Sequence, residues 1–260
     1  LETGDPASSK FAFKKAAEAT GDVNPEITED ALYQYAKVAF STHDYDESLR
    51  ALRRLEAGYP RAAYIPEVRS MIGEILFYSK NYPEAISYLE SIPLTTRRAR
   101  EAYQTACYFY GLQLYEAGQF ANANTYFQKT INQDIDRNMS LSARYWLAES
   151  QFRQGNYAQA RTAFTTYQNQ PGARTNEFFA MSNFGMGWCY FKEKNYSAAK
   201  RSFDAFVEQR DAQTPPQILV DAYLRTGDCL FLQRNYTEAN TYYDKVARAR
   251  YGQQDYALYQ

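Results

Sequence analysis

Small and bulky apolar residues recur along the chain in a fixed order, at a spacing that predicts pairs of helices. An aromatic residue serves as the phase marker, and its six copies are Tyr45, Tyr82, Phe120, Tyr157, Tyr196 and Tyr236. Successive markers are 37 to 40 residues apart. Repetition at roughly 20 to 50 residues is typical of a solenoid, in which each unit packs only on its neighbours.

Two small positions and one bulky position keep a constant distance from the marker. Nine residues before it the chain has Ala36, Gly73, Gly111, Ala148, Gly187 and Gly227. Three residues after it come Ser48, Ala85, Ala123, Ala160, Ala199 and Ala239, and seven after it Leu52, Leu89, Phe127, Phe164, Phe203 and Tyr243. Small residues let two helices approach closely and bulky ones fill the remaining space. The order therefore predicts a first helix, a tight turn and a second helix.

The turn is predicted by a polar residue just before each marker: Asp44, Asn81, Gln119, Asn156, Asn195 and Asn235. Asn and Asp suit such turns because their side chains bond to nearby backbone and tolerate unusual dihedral angles.

This register resembles the tetratricopeptide repeat, an antiparallel helix pair with small and aromatic signature positions. The resemblance covers about residues 29–250. The chain departs from the family pattern in lacking the first-helix tryptophan and in exceeding the usual period of roughly 34 residues. The resemblance implies an all-α, right-handed superhelix of six complete helix pairs with flanking half-repeats. The segment 54–77 resembles the variety found in bacterial envelope assembly lipoproteins.

The repeats are expected to form a single array over residues 1–260. Residues 7–19 match the second-helix pattern and are expected to be the trailing helix of a preceding repeat, with Thr28 capping the next helix. The expected repeats are 29–65, 66–99, 100–140, 141–178, 179–219 and 220–250, and 251–260 is expected to start a further one.

Composition excludes several classes of function. The chain has 29 Lys and Arg against 30 Asp and Glu, whereas a nucleic-acid-binding protein needs a basic stripe. No apolar run approaches the roughly 18 residues of a membrane span. The chain has three cysteines, Cys107, Cys189 and Cys229. An odd number without CxxC spacing argues against a disulfide framework and against a zinc site. They are predicted to be buried free thiols.

The chain has no recognisable catalytic chemistry. Its single histidine, His43, lies in a predicted turn without a partner nucleophile. No GxxxxGK[ST], GxGxxG phosphate-binding loop or HExxH metal motif accounts for any of its residues. We therefore expect a protein that is not an enzyme and that needs no cofactor or metal.

In tetratricopeptide arrays the first helices line the concave groove, and the resemblance implies that the fifth, ninth and twelfth residues of each repeat face it. The resulting candidates for binding a protein segment are Tyr108, Tyr115, Tyr145, Phe152, Phe184, Trp188, Phe191, Leu224 and Phe231. Glu149 and Asp228 flank them, and Arg153 and Lys192 lie one position beyond the aromatic residue of their repeats. The alternative for the twelfth residues is simple packing against the second helix. Trp188 is expected to face solvent, and Trp146 to pack between helices.

The resemblance implies a scaffold that holds an extended or helical protein segment, in a bacterial envelope assembly or secretion complex. The expected location is the periplasm or cell envelope, with the cytoplasm left open. Two alternatives remain: a structural array that docks subunits on its outer face, and a glycan- or peptidoglycan-associated module, because aromatic platforms also stack on sugars. A two-carboxylate tail is disfavoured because the fifth positions lack lysine and the ninth lack asparagine. Exposed ends predict end-to-end self-association.

Overall fold

The computed structural model describes residues 5–20, 24–249 and 257, and every regular element among them is helical. Except for Ala257, the expected further repeat at 251–260 lies outside these residues. The α-helices are α1 Pro6–Thr20, α2 Pro25–Ser41, α3 Tyr45–Gly58, α4 Ile65–Tyr78, α5 Tyr82–Glu90, α6 Arg97–Glu116, α7 Phe120–Gln133, α8 Arg137–Arg153, α9 Tyr157–Gln168, α10 Phe179–Lys192, α11 Tyr196–Gln209, α12 Pro216–Leu232 and α13 Tyr236–Arg248. A short 3₁₀ turn, Ala173–Thr175, precedes α10.

The chain divides into two compact units, residues 1–110 and residues 111–260. In the first unit α1 packs on α2, α2 on α3, α3 on α4 and α4 on α5. In the second unit each helix from α7 to α13 likewise packs on the next one along the chain. The predicted all-helical fold of six helix pairs, preceded by the single helix α1, is confirmed over the described residues.

Each of the six markers is the first residue of a second helix, as the spacing predicts. The polar residue before the marker is the N-cap, and the side chains of Asp44, Asn195 and Asn235 accept a backbone N–H from the first turn. Two residues before the marker, all six turns adopt the left-handed conformation: His43, Lys80, Gly118, Gly155, Lys194 and Arg234. One backbone geometry is therefore repeated at every turn, with glycine at only two of the six positions.

The small and bulky positions of one pair are in contact, which confirms their predicted register. A Cβ built on Gly111 would lie 2.7 Å from the Phe127 ring. Gly73, Gly187 and Gly227 are equally close to Leu89, Phe203 and Tyr243, respectively. These bulky residues of the second helices are buried. The core of each of these four pairs is thus built around a glycine covered by one large side chain.

One helix start was predicted wrongly. Helix α2 begins at Pro25, and Asn24 is its N-cap, with a side chain that accepts from the backbone N–H of Ile27. Thr28, the expected cap, lies inside the helix and its hydroxyl donates to the carbonyl of Asn24 at 3.0 Å. Proline suits the first turn because its missing N–H would have no helical partner there.

Candidate functional site

A cavity of about 760 Å³ opens in the second unit between the first helices of successive pairs. We call it the groove site. Five of the nine predicted residues line it: Tyr115, Tyr145, Phe152, Phe184 and Trp188. The helix period explains the alignment on α10, since Phe184, Trp188 and Lys192 follow one another at intervals of four residues and share one face.

Aromatic rings in mutual contact form one wall of the groove site. Tyr115 meets Trp146 edge to face at 5.0 Å between ring centroids. Tyr145 stacks on Phe178 at 4.5 Å, and Phe178 also meets the edge of Trp146 at 5.4 Å. Rings held by several neighbours have few rotamers to lose when a ligand binds. This wall is therefore preorganised.

Trp188 also lines the groove site and packs against the protein core. Its indole Nε1 donates to Oδ2 of Asp221 at 3.2 Å. Its ring meets Phe203 at 6.3 Å and Phe191 at 5.7 Å. The expectation that Trp188 faces solvent without a packing role was therefore wrong: the ring is half-buried, with one part in the groove site and another against the core of its own pair.

Trp146 was expected to pack between helices, but it also lines the groove site. Its ring is half-buried between Tyr115 and Phe178. Its indole Nε1 is buried and has no hydrogen-bond partner among the described residues. Trp146 and Trp188 are the only two tryptophans in the sequence, so both lie at this one site.

Two cations and one carboxylate line the groove site. Glu149 accepts from the Tyr115 hydroxyl at 3.2 Å and pairs with Nε of Arg153 at 3.0 Å. Burial, reinforced by the Glu149 charge, raises the pKa of Tyr115 to about 12, so its hydroxyl stays protonated. Lys192 is exposed, and its ammonium lies 5.5 Å from the Trp188 ring centroid.

The other predicted residues have different surroundings. Leu224 is only 1% exposed and lies in a core cluster with Val220 and Tyr243, so a partner cannot reach it. Tyr145 is 5% exposed, which leaves it a small part of the cavity wall. The predictions that these two side chains offer a binding surface were wrong for Leu224 and overstated for Tyr145. Tyr108 lies in the first unit, half-buried against Phe109.

The twelfth residues of the repeats have a packing role throughout. In every pair this aromatic contacts the marker that opens the second helix, at centroid distances of 5.2 to 5.8 Å. Phe191 and Phe231 pair in this way with Tyr196 and Tyr236, and neither lines the cavity, although Phe191 also contacts Trp188. Only Tyr115 and Phe152 combine this contact with a place on the cavity wall.

Two carboxylates on the first helices of the first unit, Glu74 and Glu67, are bound by neighbouring side chains. Arg98 binds Glu74 with two guanidinium nitrogens, and its guanidinium lies 5.1 Å from the Phe40 ring centroid. Tyr33 donates to Glu67 at 2.5 Å. These polar groups are therefore satisfied within the unit, whereas the Lys37 ammonium on α2 lies 5.1 Å from the Tyr33 ring centroid.

Over residues 5–20 and 24–249, no helix combines the length and hydropathy needed to cross a bilayer. The same residues contain no cluster of three or more His, Cys, Asp or Glu side chains able to hold a metal ion.

Comparison with known proteins identifies the repeat. A family model described as tetratricopeptide repeat matches residues 111–174 and 184–255, which together make up just over half of the chain. No curated protein sequence gives a significant match.

Three solved structures share the fold at low sequence identity. The C-terminal part of a tetratricopeptide repeat-containing protein from Cytophaga hutchinsonii has a TM-score of 0.60 at 15% identity, over 97% of this chain and 94% of that one. BtubC from P. vanneervenii has a TM-score of 0.54 at 13% identity, over 80% and 89%. The apo form of the quorum sensor NprR from B. thuringiensis has a TM-score of 0.51 at 14% identity, over 97% and 79%.

Proposed function

The chain belongs to the tetratricopeptide repeat family, and from that premise we propose that it is a non-catalytic scaffold whose groove site binds a segment of a protein partner. One observation carries the proposal: the first helices of the second unit enclose a cavity of about 760 Å³ whose walls are mainly aromatic and whose lining includes Glu149, Arg153 and Lys192. Repeat proteins of this kind use such surfaces for binding.

The composition of the site favours a protein ligand. Binding hot spots are rich in Trp, Tyr and Arg, and they lie in pockets from which water is excluded. Trp146, Trp188, Tyr115 and Arg153 are of these types and line one cavity. An apolar side chain of a partner would lose its water shell against these rings, while the charged groups would fix its orientation.

The setting that we propose is a bacterial envelope assembly or secretion complex, in the periplasm or cell envelope. Its support is the likeness of residues 54–77 to repeats of envelope assembly lipoproteins. Fractionation of native cells with an antibody to this chain tests the setting. Recovery in the periplasmic or envelope fraction is expected, and recovery only with the cytosol would contradict it.

The binding role is tested by photo-crosslinking in native cells. A photoreactive phenylalanine analogue replaces Arg153 at the groove site in one variant, and Gln159 in the other. Gln159 lines a second cavity, of about 620 Å³, formed by α7, α8 and α9. We expect position 153 to give a protein adduct of one defined mass. Position 159 should give no adduct of that mass.

The position of Gln159 also tests the second candidate function, docking of subunits on the outer face. The observation in its favour is the cavity at α7, α8 and α9, whose lining includes Ile131, Leu147 and Ala163. Adducts from position 159 alone would replace the groove proposal with outer-face docking. If both variants are expressed and neither gives an adduct, the groove proposal and the outer-face proposal are both contradicted.

A further inference from the structure

We propose that the groove site selects a segment in which an apolar side chain lies beside a single carboxylate, and that Lys192 binds that carboxylate. This inference rests on the proposed function and specifies the chemistry of the partner.

The apolar half of the recognition follows from the cavity walls. Trp146 and Phe184 line the cavity together with Met181, whose flexible thioether adapts to ligands of different shape. Trp188 lines it too and is held by its hydrogen bond to Asp221. A partner side chain in this cavity contacts carbon and sulfur on several sides, and its burial is the main source of affinity.

The charged half follows from which ions at the site already have partners. Glu149 is neutralised by Arg153 and also accepts from the Tyr115 hydroxyl. On α12, Asp221 and Asp228 both pair with Arg225, at 3.3 and 2.5 Å. None of these three α12 residues lines the cavity. The negative charges at and behind the groove site therefore each have a cationic partner within the protein.

Lys192 is the exception on the cavity lining. Its ammonium pairs with no carboxylate of residues 5–20 or 24–249 and lies over the face of the Trp188 ring. An exposed ammonium beside an indole keeps its donors available while the ring shields one side from water. The lining is left with one uncompensated positive charge, which a carboxylate on the partner complements.

A single carboxylate fits better than two. The second cation on the lining, Arg153, already binds Glu149, and only Lys192 is uncommitted. In the first unit the cation Arg98 is likewise held, by two guanidinium nitrogens on Glu74. The carboxylate can come from an Asp or Glu side chain or from the end of the partner chain, and both sources present the same two oxygens to Lys192.

The probe for this inference is a library of random peptides displayed with free C-termini, selected on the whole chain. Three proteins are compared: wild type, Lys192→Glu, and Lys194→Glu as the matched control. Lys194 lies two residues further along and does not line the cavity, so the control makes the same charge change outside the site. Circular dichroism verifies that all three are folded.

Wild type and Lys194→Glu are expected to select peptides with a large apolar residue next to an acidic group. Lys192→Glu is expected to bind those peptides at least tenfold more weakly and to select Lys or Arg in place of the acid. Two sets of synthetic peptides then distinguish the two carboxylate sources. In one arm Asp or Glu is replaced by Asn or Gln, and in the other arm the C-terminus is amidated. The selected peptides will lose affinity in one of these two arms.

The result that overturns the inference is the selection of peptides without an acid, or of the same sequences by Lys192→Glu. Retained affinity in both amide arms would overturn it as well. The proposed function survives these results if the peptides still change the indole signals of Trp146 and Trp188. If no selected peptide changes either indole signal, the proposed function fails and the inference fails with it.

Discussion

Phe203 of α11 lies against the bare Cα of Gly187 on α10. A Cβ on that glycine would be 2.6 Å from both Cδ1 and Cε1 of the ring, closer than real Cβ contacts come. Phe203 is fully buried and cannot move aside into solvent. The same contact joins Gly111 to Phe127. Close approach of the two helices in these pairs therefore depends on the glycine.

Gly187→Leu and Gly111→Leu should each destabilise the protein severely, by about 1–3 kcal/mol or more, because a buried ring must be displaced. Urea unfolding followed by circular dichroism measures the loss. Gly58→Leu is the matched control, since no atom lies within 4 Å of a Cβ at that position, and it should change the free energy of unfolding by less than about 0.5 kcal/mol. Equal stability of all three variants would show that the register is wrong.

The left-handed turns predict opposite effects for two reciprocal substitutions. Lys194 has φ of 61° and Gly155, at the equivalent position of an earlier turn, has φ of 79°. A residue with a Cβ costs roughly 1–2 kcal/mol in the left-handed conformation, and glycine avoids this cost. Glycine also has more conformational freedom in the unfolded chain, which cancels part of that gain in stability. Lys194→Gly should raise the free energy of unfolding by about 0.5–1 kcal/mol and Gly155→Lys should lower it by about 1 kcal/mol. Changes of the same sign in thermal and urea unfolding would contradict this account.

Asn176 joins three helices through one buried side chain. Its Oδ1 accepts from the Tyr167 hydroxyl at 2.7 Å and from the Phe178 backbone at 3.2 Å. Its Nδ2 donates to Asn138 at 2.9 Å and to Ser142 at 3.2 Å. Asn176→Ala should therefore lower the free energy of unfolding by at least about 2 kcal/mol, because buried polar partners lose their bonds.

A double-mutant cycle separates this network from simple packing. The double variant Tyr167→Phe, Asn176→Ala should lose less free energy of unfolding than the sum of the two single variants. Asn176→Ala leaves the Tyr167 hydroxyl without its acceptor, and Tyr167→Phe removes that hydroxyl. Asn169→Ala, at an exposed amide on the end of α9, serves as the control and should be nearly neutral. Additive losses would show that the hydrogen bond contributes nothing.

The buried thiols predict both reactivity and alkaline stability. Burial raises the pKa of Cys189, and likewise of Cys229, from 9.0 to about 12. At pH 8 only about one native thiol in ten thousand is ionised, so Ellman's reagent should react with these two at the rate of unfolding. Fast labelling of a folded Cys107→Ser variant would contradict this.

The sign of the pH effect follows from the direction of these shifts. Below pH 9 both states hold the thiol proton, and between pH 9 and about 12 only the folded state keeps it. Stability should therefore fall as pH rises through that window, by about 1.4 kcal/mol per pH unit for each thiol. In Cys189→Ala the fall between pH 9 and 10.5 should be shallower than in wild type, and identical slopes would refute the role of this thiol.

The sequence was sufficient to predict features that repeat. The marker positions predicted where every second helix begins, because the turn, cap and packing residues all recur with the same period. Gly187 and its bulky partner could be paired from spacing alone. Gly185 could not, since the ring it approaches, Phe164, belongs to the preceding pair. Nothing within a single repeat predicts that contact.

The groove site was predicted less well, because the burial of a first-helix side chain depends on its contacts with other helices. Leu224 and Tyr145 occupy positions that face the groove in a single repeat, but neighbouring helices and Phe178 cover them. Trp146 and Trp188 differ in repeat position, yet both reach one cavity. The one signal that could have indicated this was that each tryptophan is followed within two helical turns by a cation, Arg153 seven residues after Trp146 and Lys192 four residues after Trp188.

The central claim is that the groove site of the second unit is where a partner segment binds, and the two tryptophans allow a direct measurement. Because Trp146 and Trp188 are the only indoles, a ¹⁵N-edited NMR spectrum should contain two indole N–H signals, both from this site. Trp188→Phe assigns them by removing one. On titration with a selected peptide or a crosslinked partner, both signals should shift with the same saturation curve. Saturable binding that leaves both indole signals unchanged would place the binding surface elsewhere and contradict the account.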